Sequence, residues 1–211
     1  MTMTQLLPKV AGVLAVATVT LTAGNAMATT ITFDDLPTAS DGLQVANGYN
    51  GFTWNNFYAL NGTAYNNGGY PKAVISPNNV IFNAFGDPAS VTGSTQFNFN
   101  SAYLTGAWRD KLEVVVTGLL DGVTQYTQTV TLSAFAPELF NFNFQNVDTV
   151  RFVSSGGVDA GYPSNNGTTQ FAIDNFAVSS VPEPFTILGS AVALGAGAAM
   201  KRKQAKKAAK A

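Results

Sequence analysis

Apolar and polar residues alternate along much of the middle of this chain. Thr30-Ile31-Thr32-Phe33 alternates, and Gln96-Phe97-Asn98-Phe99-Asn100 does so strictly. From Leu139 to Gln145, Phe140, Phe142 and Phe144 share one face, and Asn141 and Asn143 the other. A period of two is the spacing of a half-buried strand, because successive side chains point to opposite faces. Lys111-Leu112-Glu113-Val114-Val115-Val116 runs to Gly118, Asp121-Gly122 supplies a turn, and Val123 to Leu132 returns. This spacing predicts a β-hairpin, since Asp-Gly accepts the positive φ angles of a two-residue turn. Val150-Arg151-Phe152-Val153 predicts another strand. Gln170 to Val178 predicts a closing one, with Phe171 and Ile173 apolar and, after a break, Phe176 and Val178. No long stripe of period 3.6 interrupts residues 29–180. About nine to eleven strands follow, punctuated by Gly, Asn and Pro. The expected fold is all-β, an antiparallel, jelly-roll-like β-sandwich. Two stretches rich in Gly and Asn, Ala59 to Pro71 and Ser154 to Gly167, read as long loops, and each carries tyrosine.

The pattern changes at both ends. Residues 1–28 have the three parts of a secretory signal helix: a charged Lys9, an apolar run from Val10 to Leu21, and a small-x-small cleavage site at Ala26-Met27-Ala28. Signal peptidase is the implied partner, and the mature chain is expected to start at Thr29. At the other end Val181-Pro182-Glu183-Pro184 precedes Phe185 to Met200, sixteen uncharged and mostly apolar residues, and then Lys201-Arg202-Lys203. As a helix this span reaches roughly 24 Å at ~1.5 Å per residue. That is short of a ~30 Å hydrocarbon core, but lysines snorkel and bilayers thin at modest cost. A basic cluster after a membrane span stays in the cytoplasm and acts as a stop. Residues 29–180 would therefore face outward, between a signal segment at 1–28 and an anchoring segment at 181–211.

The C-terminal pattern resembles the PEP-CTERM sorting domain of bacterial exosortase substrates. The matching residues are Val181-Pro182-Glu183-Pro184, the helix from Phe185, and the Lys201-Arg202-Lys203 block. The extension from Gln204 to Ala211 is longer than many members carry. The resemblance implies recognition of the Pro-Glu-Pro by a membrane-embedded sorting enzyme. It also implies a cell-envelope, surface or extracellular destination, often alongside exopolysaccharide. Two prolines flanking Glu183 can neither continue a helix nor donate to a ladder, which keeps the segment extended and accessible. The middle of the chain resembles β-sandwich ectodomains that precede such tails. The residues that carry this are Phe33-Asp34-Asp35-Leu36, the stretch from Gly51 to Phe57, the stretch from Asn100 to Trp108, and the stretch from Phe171 to Phe176. Some of those ectodomains look like carbohydrate-binding modules.

Composition narrows the chemistry. The chain has 211 residues, no cysteine and no histidine. Disulfides, thiolate metal sites and every mechanism that uses a histidine are excluded. The formal charge of −1 hides a sorted distribution, for residues 29–180 hold four basic and eleven acidic side chains, a net −7. That sign repels phosphates and argues against nucleic acid. Residues 29–180 contain only two glutamates, Glu113 beside Lys111 and Glu138 after Ala136-Pro137, both at solvated positions. A glycan hydrolase, which needs a carboxyl pair across a cleft, is the least supported function. Asp34 and Asp174 sit oddly within apolar strands at the two ends of the domain. They are candidate ligands of a shared structural Ca²⁺, a hard cation that takes carboxylate oxygens. Tyr65, Tyr70 and Tyr162 are candidate sugar-binding side chains, because an aromatic body with a polar tip suits a sugar face. Trp54 and Trp108 are expected in the core. The leading expectation is a non-enzymatic surface or matrix protein, and the alternative is a module that binds exopolysaccharide.

Overall fold

The computed structural model describes residues 28–163 and 167–181. The residues expected to form the signal segment up to residue 27, the sorting motif from Pro182 to Pro184, the expected membrane span from Phe185 and the expected basic stop Lys201-Arg202-Lys203 lie outside the described residues. Of the motif only Val181 is described, half-buried. No helix among the described residues is long and apolar enough to cross a membrane.

The described chain is all-β, as its alternation predicts. Ten strands occur in the order β1 (Ala28–Ile31), β2 (Leu43–Gln44), β3 (Phe52–Asn55), β4 (Phe57–Asn61), β5 (Asn79–Asn83), β6 (Ala89–Gly106), β7 (Arg109–Leu120), β8 (Val123–Leu132), β9 (Glu138–Asp159) and β10 (Phe171–Ser180). One four-residue helix, α1 (Tyr70–Ala73), falls between β4 and β5. Hydrogen bonding runs unbroken through the sheet in the order β2-β4-β5-β10-β6-β9-β7-β8, with β1 on β10 and β3 on β6. Every pairing is antiparallel. The halves of this single sheet meet across a shared core. Phe57 of β4 lies 5.9 Å from Phe152 of β9, and Trp54 of β3 lies 5.7 Å from Phe176 of β10. None of these strands are hydrogen-bonded neighbours, so their rings close two layers on each other. Trp54 is 1 % exposed, and its indole N–H donates to the Tyr49 carbonyl at 2.9 Å. Burying such a ring stabilises the fold by about 1.5–3 kcal/mol.

The predicted hairpin is β7 and β8, with Leu120 opposite Val123. Asp121 and Gly122 have φ of 51° and 76°, the two positive angles a type I′ turn requires. The break in the last strand is a β-bulge. Asn175 has φ 52°, and the register with β6 shifts between Asp174 and Ala177. The extra residue flips the alternation, so Ile173 and Phe176 both reach the core.

Both predicted loops are shorter than the sequence suggests. Ala59 to Asn61 belong to β4, Tyr70 to Ala73 form α1, and Ser154 to Asp159 continue β9 along β7. Arg109 helps hold that continuation, its guanidinium donating to the Gly156 and Gly157 carbonyls at 2.6 and 2.8 Å.

Candidate functional site

Strands β4, β5 and β10 are buried on both faces. Phe57, Ala59, Ile81, Phe171 and Ile173 face the main core. Their alternating neighbours Leu60, Val80, Phe82 and Ala172 face a second, smaller cluster with Tyr70, Ala73, Ala107 and Trp108. This explains the unbroken apolar runs Val80-Ile81-Phe82 and Phe171-Ala172-Ile173, since a strand covered on both sides has no polar face. Tyr58, Tyr65, Val74 and Tyr162 pack at the margin of the second cluster. The three tyrosines singled out in the sequence therefore converge on one place, separated by up to 97 positions in the chain but gathered by the topology.

An open cleft sits over this cluster. Its outer lobe, about 560 Å³, is lined by Thr38 to Asp41, Leu60, Asn61, Ala64, Tyr65 and Asn66. Its inner lobe, about 150 Å³, shares Asp41, Leu60 and Tyr65 and adds Tyr70, Phe82, Trp108 and Gln170. Asn61 shapes the outer wall. Its side-chain oxygen accepts the Ala64 N–H at 2.9 Å and the Thr63 hydroxyl at 2.8 Å, an Asx-type turn that Asn-Gly-Thr favours. Tyr65 stands half-exposed, edge-on to Tyr70 with centroids 5.2 Å apart.

Tyr70 and Tyr162 sit differently from Tyr65. Tyr70 is 2 % exposed and packs edge-to-face on Phe82 and Trp108. Its ring is enclosed and offers no face for stacking. Burial pushes its hydroxyl above the ordinary range, so it stays protonated and donates to Gln170 Oε1 at 3.2 Å. Tyr162 is half-buried, and its hydroxyl is committed to the Ala134 carbonyl at 2.6 Å. Of the three, Tyr65 lines both lobes and is half-exposed. Trp108 is in the smaller core, as expected, 4 % exposed.

Asp34 and Asp174, the candidate Ca²⁺ ligands, both hydrogen-bond one segment of the chain. Asp174 is fully buried and accepts the Ile75 and Ser76 N–H groups at 2.7 and 2.9 Å, the Ser76 hydroxyl at 2.9 Å and the Asn175 N–H at 2.6 Å. Asp34 accepts the Asn78 and Asn79 N–H groups at 2.9 and 3.0 Å. The two residues share a neighbour, the segment from Ile75 to Asn79. No group of three or more His, Cys, Asp or Glu side chains gathers among the described residues. The segment they clamp directly follows α1, whose Tyr70 lines the inner lobe. From the other side, the Gly69 N–H donates to the Ala107 carbonyl at 2.6 Å. A Cβ on Gly69 would lie 2.1 Å from the Gly106 carbonyl oxygen, so only glycine allows α1 this approach.

Carboxylates are sparse at the cleft. Asp41 is the one acid lining either lobe, and Glu113 and Glu138 are exposed strand residues. Asp121 and Asp148 line a separate depression at the tip of the β7–β8 hairpin, where Asp148 accepts the Asp121 N–H. The cleft therefore lacks the facing pair that glycoside hydrolysis uses.

The sequence matches no family model. It matches no curated protein either. Distant likenesses exist among solved structures. A DUF4465 family protein from Bacteroides ovatus superposes with a TM-score of 0.43 at 9 % identity, over 75 % of this chain and 91 % of that one. TmCBM61, solved with β-1,4-galactotriose, gives 0.34 at 7 % identity, over 63 % and 92 %. A family 16 carbohydrate-binding module gives 0.31 at 13 % identity, over 60 % and 86 %.

Gln170 and Asp41 could not be singled out from sequence. Gln170 precedes a strand and looks like any polar flank, and Asp41 lies in a stretch without periodicity. Their roles depend on the folding of Trp108, Tyr65 and α1 over the outer face of β4 and β5.

Proposed function

We propose that the protein is an exported, non-enzymatic surface protein that binds glycan in the cleft over β4, β5 and β10. The observation that carries this is the cleft's make-up. It has one half-exposed aromatic wall at Tyr65, hydrogen-bonding side chains at Asp41, Asn61 and Asn66, and a floor fixed by buried groups. An aromatic face covers the apolar side of a sugar ring while amides and carboxylates bond its hydroxyls. The signal segment and the Pro-Glu-Pro tail support delivery to the bacterial envelope, anchoring by the C-terminal helix, and handling by an exosortase-type enzyme. Exopolysaccharide at the cell surface is then the ligand within reach.

The test uses residues 26–182, which form a compact unit with its own core. On a glycan array this unit should retain at least one polysaccharide from the producing cell. Tyr65→Ala should weaken that binding about fivefold or more, the scale of losing one ring-stacking contact of about 1 kcal/mol or more, with the domain still folded by circular dichroism. An array without any bound glycan, or binding indifferent to Tyr65, contradicts the proposal.

A further inference from the structure

Gln170 is the least explained side chain of the cleft. It is 8 % exposed and lines the inner lobe. Its Oε1 accepts the Trp108 indole N–H at 2.7 Å, the Thr168 hydroxyl at 3.0 Å and the Tyr70 hydroxyl at 3.2 Å. An indole N–H can only donate, so the oxygen must face Trp108 and the amide cannot flip. Its NH₂ group is thereby fixed on the other side, and no hydrogen bond from it is made to any described residue. The three hydrogen bonds to the oxygen hold the NH₂ group in place. Leu60, Phe82 and the rings of Tyr65, Tyr70 and Trp108 form the other walls of the lobe, and Asp41 lines both lobes.

We propose that the inner lobe recognises an acetamido group, and that the glycan bound by this protein carries N-acetylated amino sugars. The inference rests on the glycan-binding function proposed above and adds the sugar class. An acetamido group has three features that match three features of the lobe. Its carbonyl oxygen accepts from Gln170 Nε2, its N–H donates to Asp41, and its methyl group fills the apolar space beside Leu60 and Phe82. A hydroxyl in the same place reaches at most the two polar partners and leaves the apolar space empty. An anionic substituent meets Asp41 and no cation, for neither lobe is lined by lysine or arginine. The pyranose ring itself stays in the outer lobe, over Tyr65.

The experiment titrates the unit 26–182, by calorimetry, with matched trisaccharides of the gluco and galacto series. Each pair differs only in bearing an acetamido group or a hydroxyl at the second carbon. In at least one pair the acetamido sugar should bind ten times more tightly or better. Gln170→Glu keeps the acceptor for Trp108 and Tyr70 but turns the NH₂ into an oxygen that repels a carbonyl, and it should erase the preference. Should that buried change lower the melting temperature, the exposed Asp41→Ala carries the same test, with an expected loss of preference of at least threefold. Equal affinities within both pairs, or a preference that survives both variants, overturn the inference. Tyr65-dependent binding of hydroxyl sugars would then leave the proposed function standing. Absence of binding to any glycan on the array overturns both.

Discussion

Asp34 and Asp174 grip one segment from two strands, with opposite consequences in acid. Partial burial alone would raise the carboxyl of Asp34, but the N–H groups of Asn79 and Asn78 outweigh it and hold it below its ordinary 3.8. A depressed carboxyl stabilises the fold above its unfolded value, and that contribution is lost as pH falls through 3.8 and below. Asp174 runs the other way. Burial pushes its carboxyl up despite four donors, so its contribution is present below 3.8 and is lost as pH rises through the higher folded value. Denaturant unfolding of Asp34→Asn should therefore show a deficit at pH 6, on the order of 1 kcal/mol for weakened hydrogen bonds. The deficit should narrow as pH is lowered past 3.8. A deficit that stays constant from neutral to acid pH would show that the charge of Asp34 contributes nothing.

Among the elements, the β7–β8 hairpin is the most directly encoded. Gly122 has open space around its Cα and φ 76°, so Gly122→Ala adds backbone strain and no clash. It should cost about 1–2 kcal/mol, read as a lowered denaturation midpoint with an unchanged m-value. A neutral result would mean the turn is not held in its left-handed form. The same hairpin shows why strands were legible here. Alternation in β6 and β9 and an Asp-Gly turn are local signals, and the fold obeys them. Ser154 to Asp159 hid its strand because Gly156 and Gly157 carry positive φ and no side chains. Only pairing with β7 and the reach of Arg109 make it extended. The burial of Tyr70 was hidden for a related reason. The stretch Asn66-Asn67-Gly68-Gly69 looks solvated, but Gly69 lets the backbone press against Gly106 and carry Tyr70 inward. In the same way Asp174 was visible as an anomaly in an apolar strand, but its partner 98 positions away was not.

For the whole molecule, β1 and β10 matter most, because they bring the two ends of the domain together. Ala28 pairs with Ser179, so the expected cleavage point and the start of the expected sorting motif at Val181 lie close along one strand pair. The cleft over β4 and β5 is not part of that pairing. Under C-terminal sorting, Glu183→Ala should leave full-length precursor in the inner membrane, detected by intact mass and fractionation. Normal processing of that variant would discredit the sorting motif without touching the cleft. The net charge of −7 across residues 29–180 has its own meaning at this scale. It repels phosphate-rich surfaces and so agrees with the proposed uncharged or weakly charged polymer ligand. The central claim is that one cleft of the sandwich binds glycan, and amide chemical-shift mapping of residues 26–182 during titration with the cell's own exopolysaccharide tests it most directly. The predicted result is a set of shifts confined to Asp41, Asn61, Ala64 to Asn66, Trp108 and Gln170. Shifts centred instead on Thr92 to Gln96, or no shifts at saturating polymer, would contradict it.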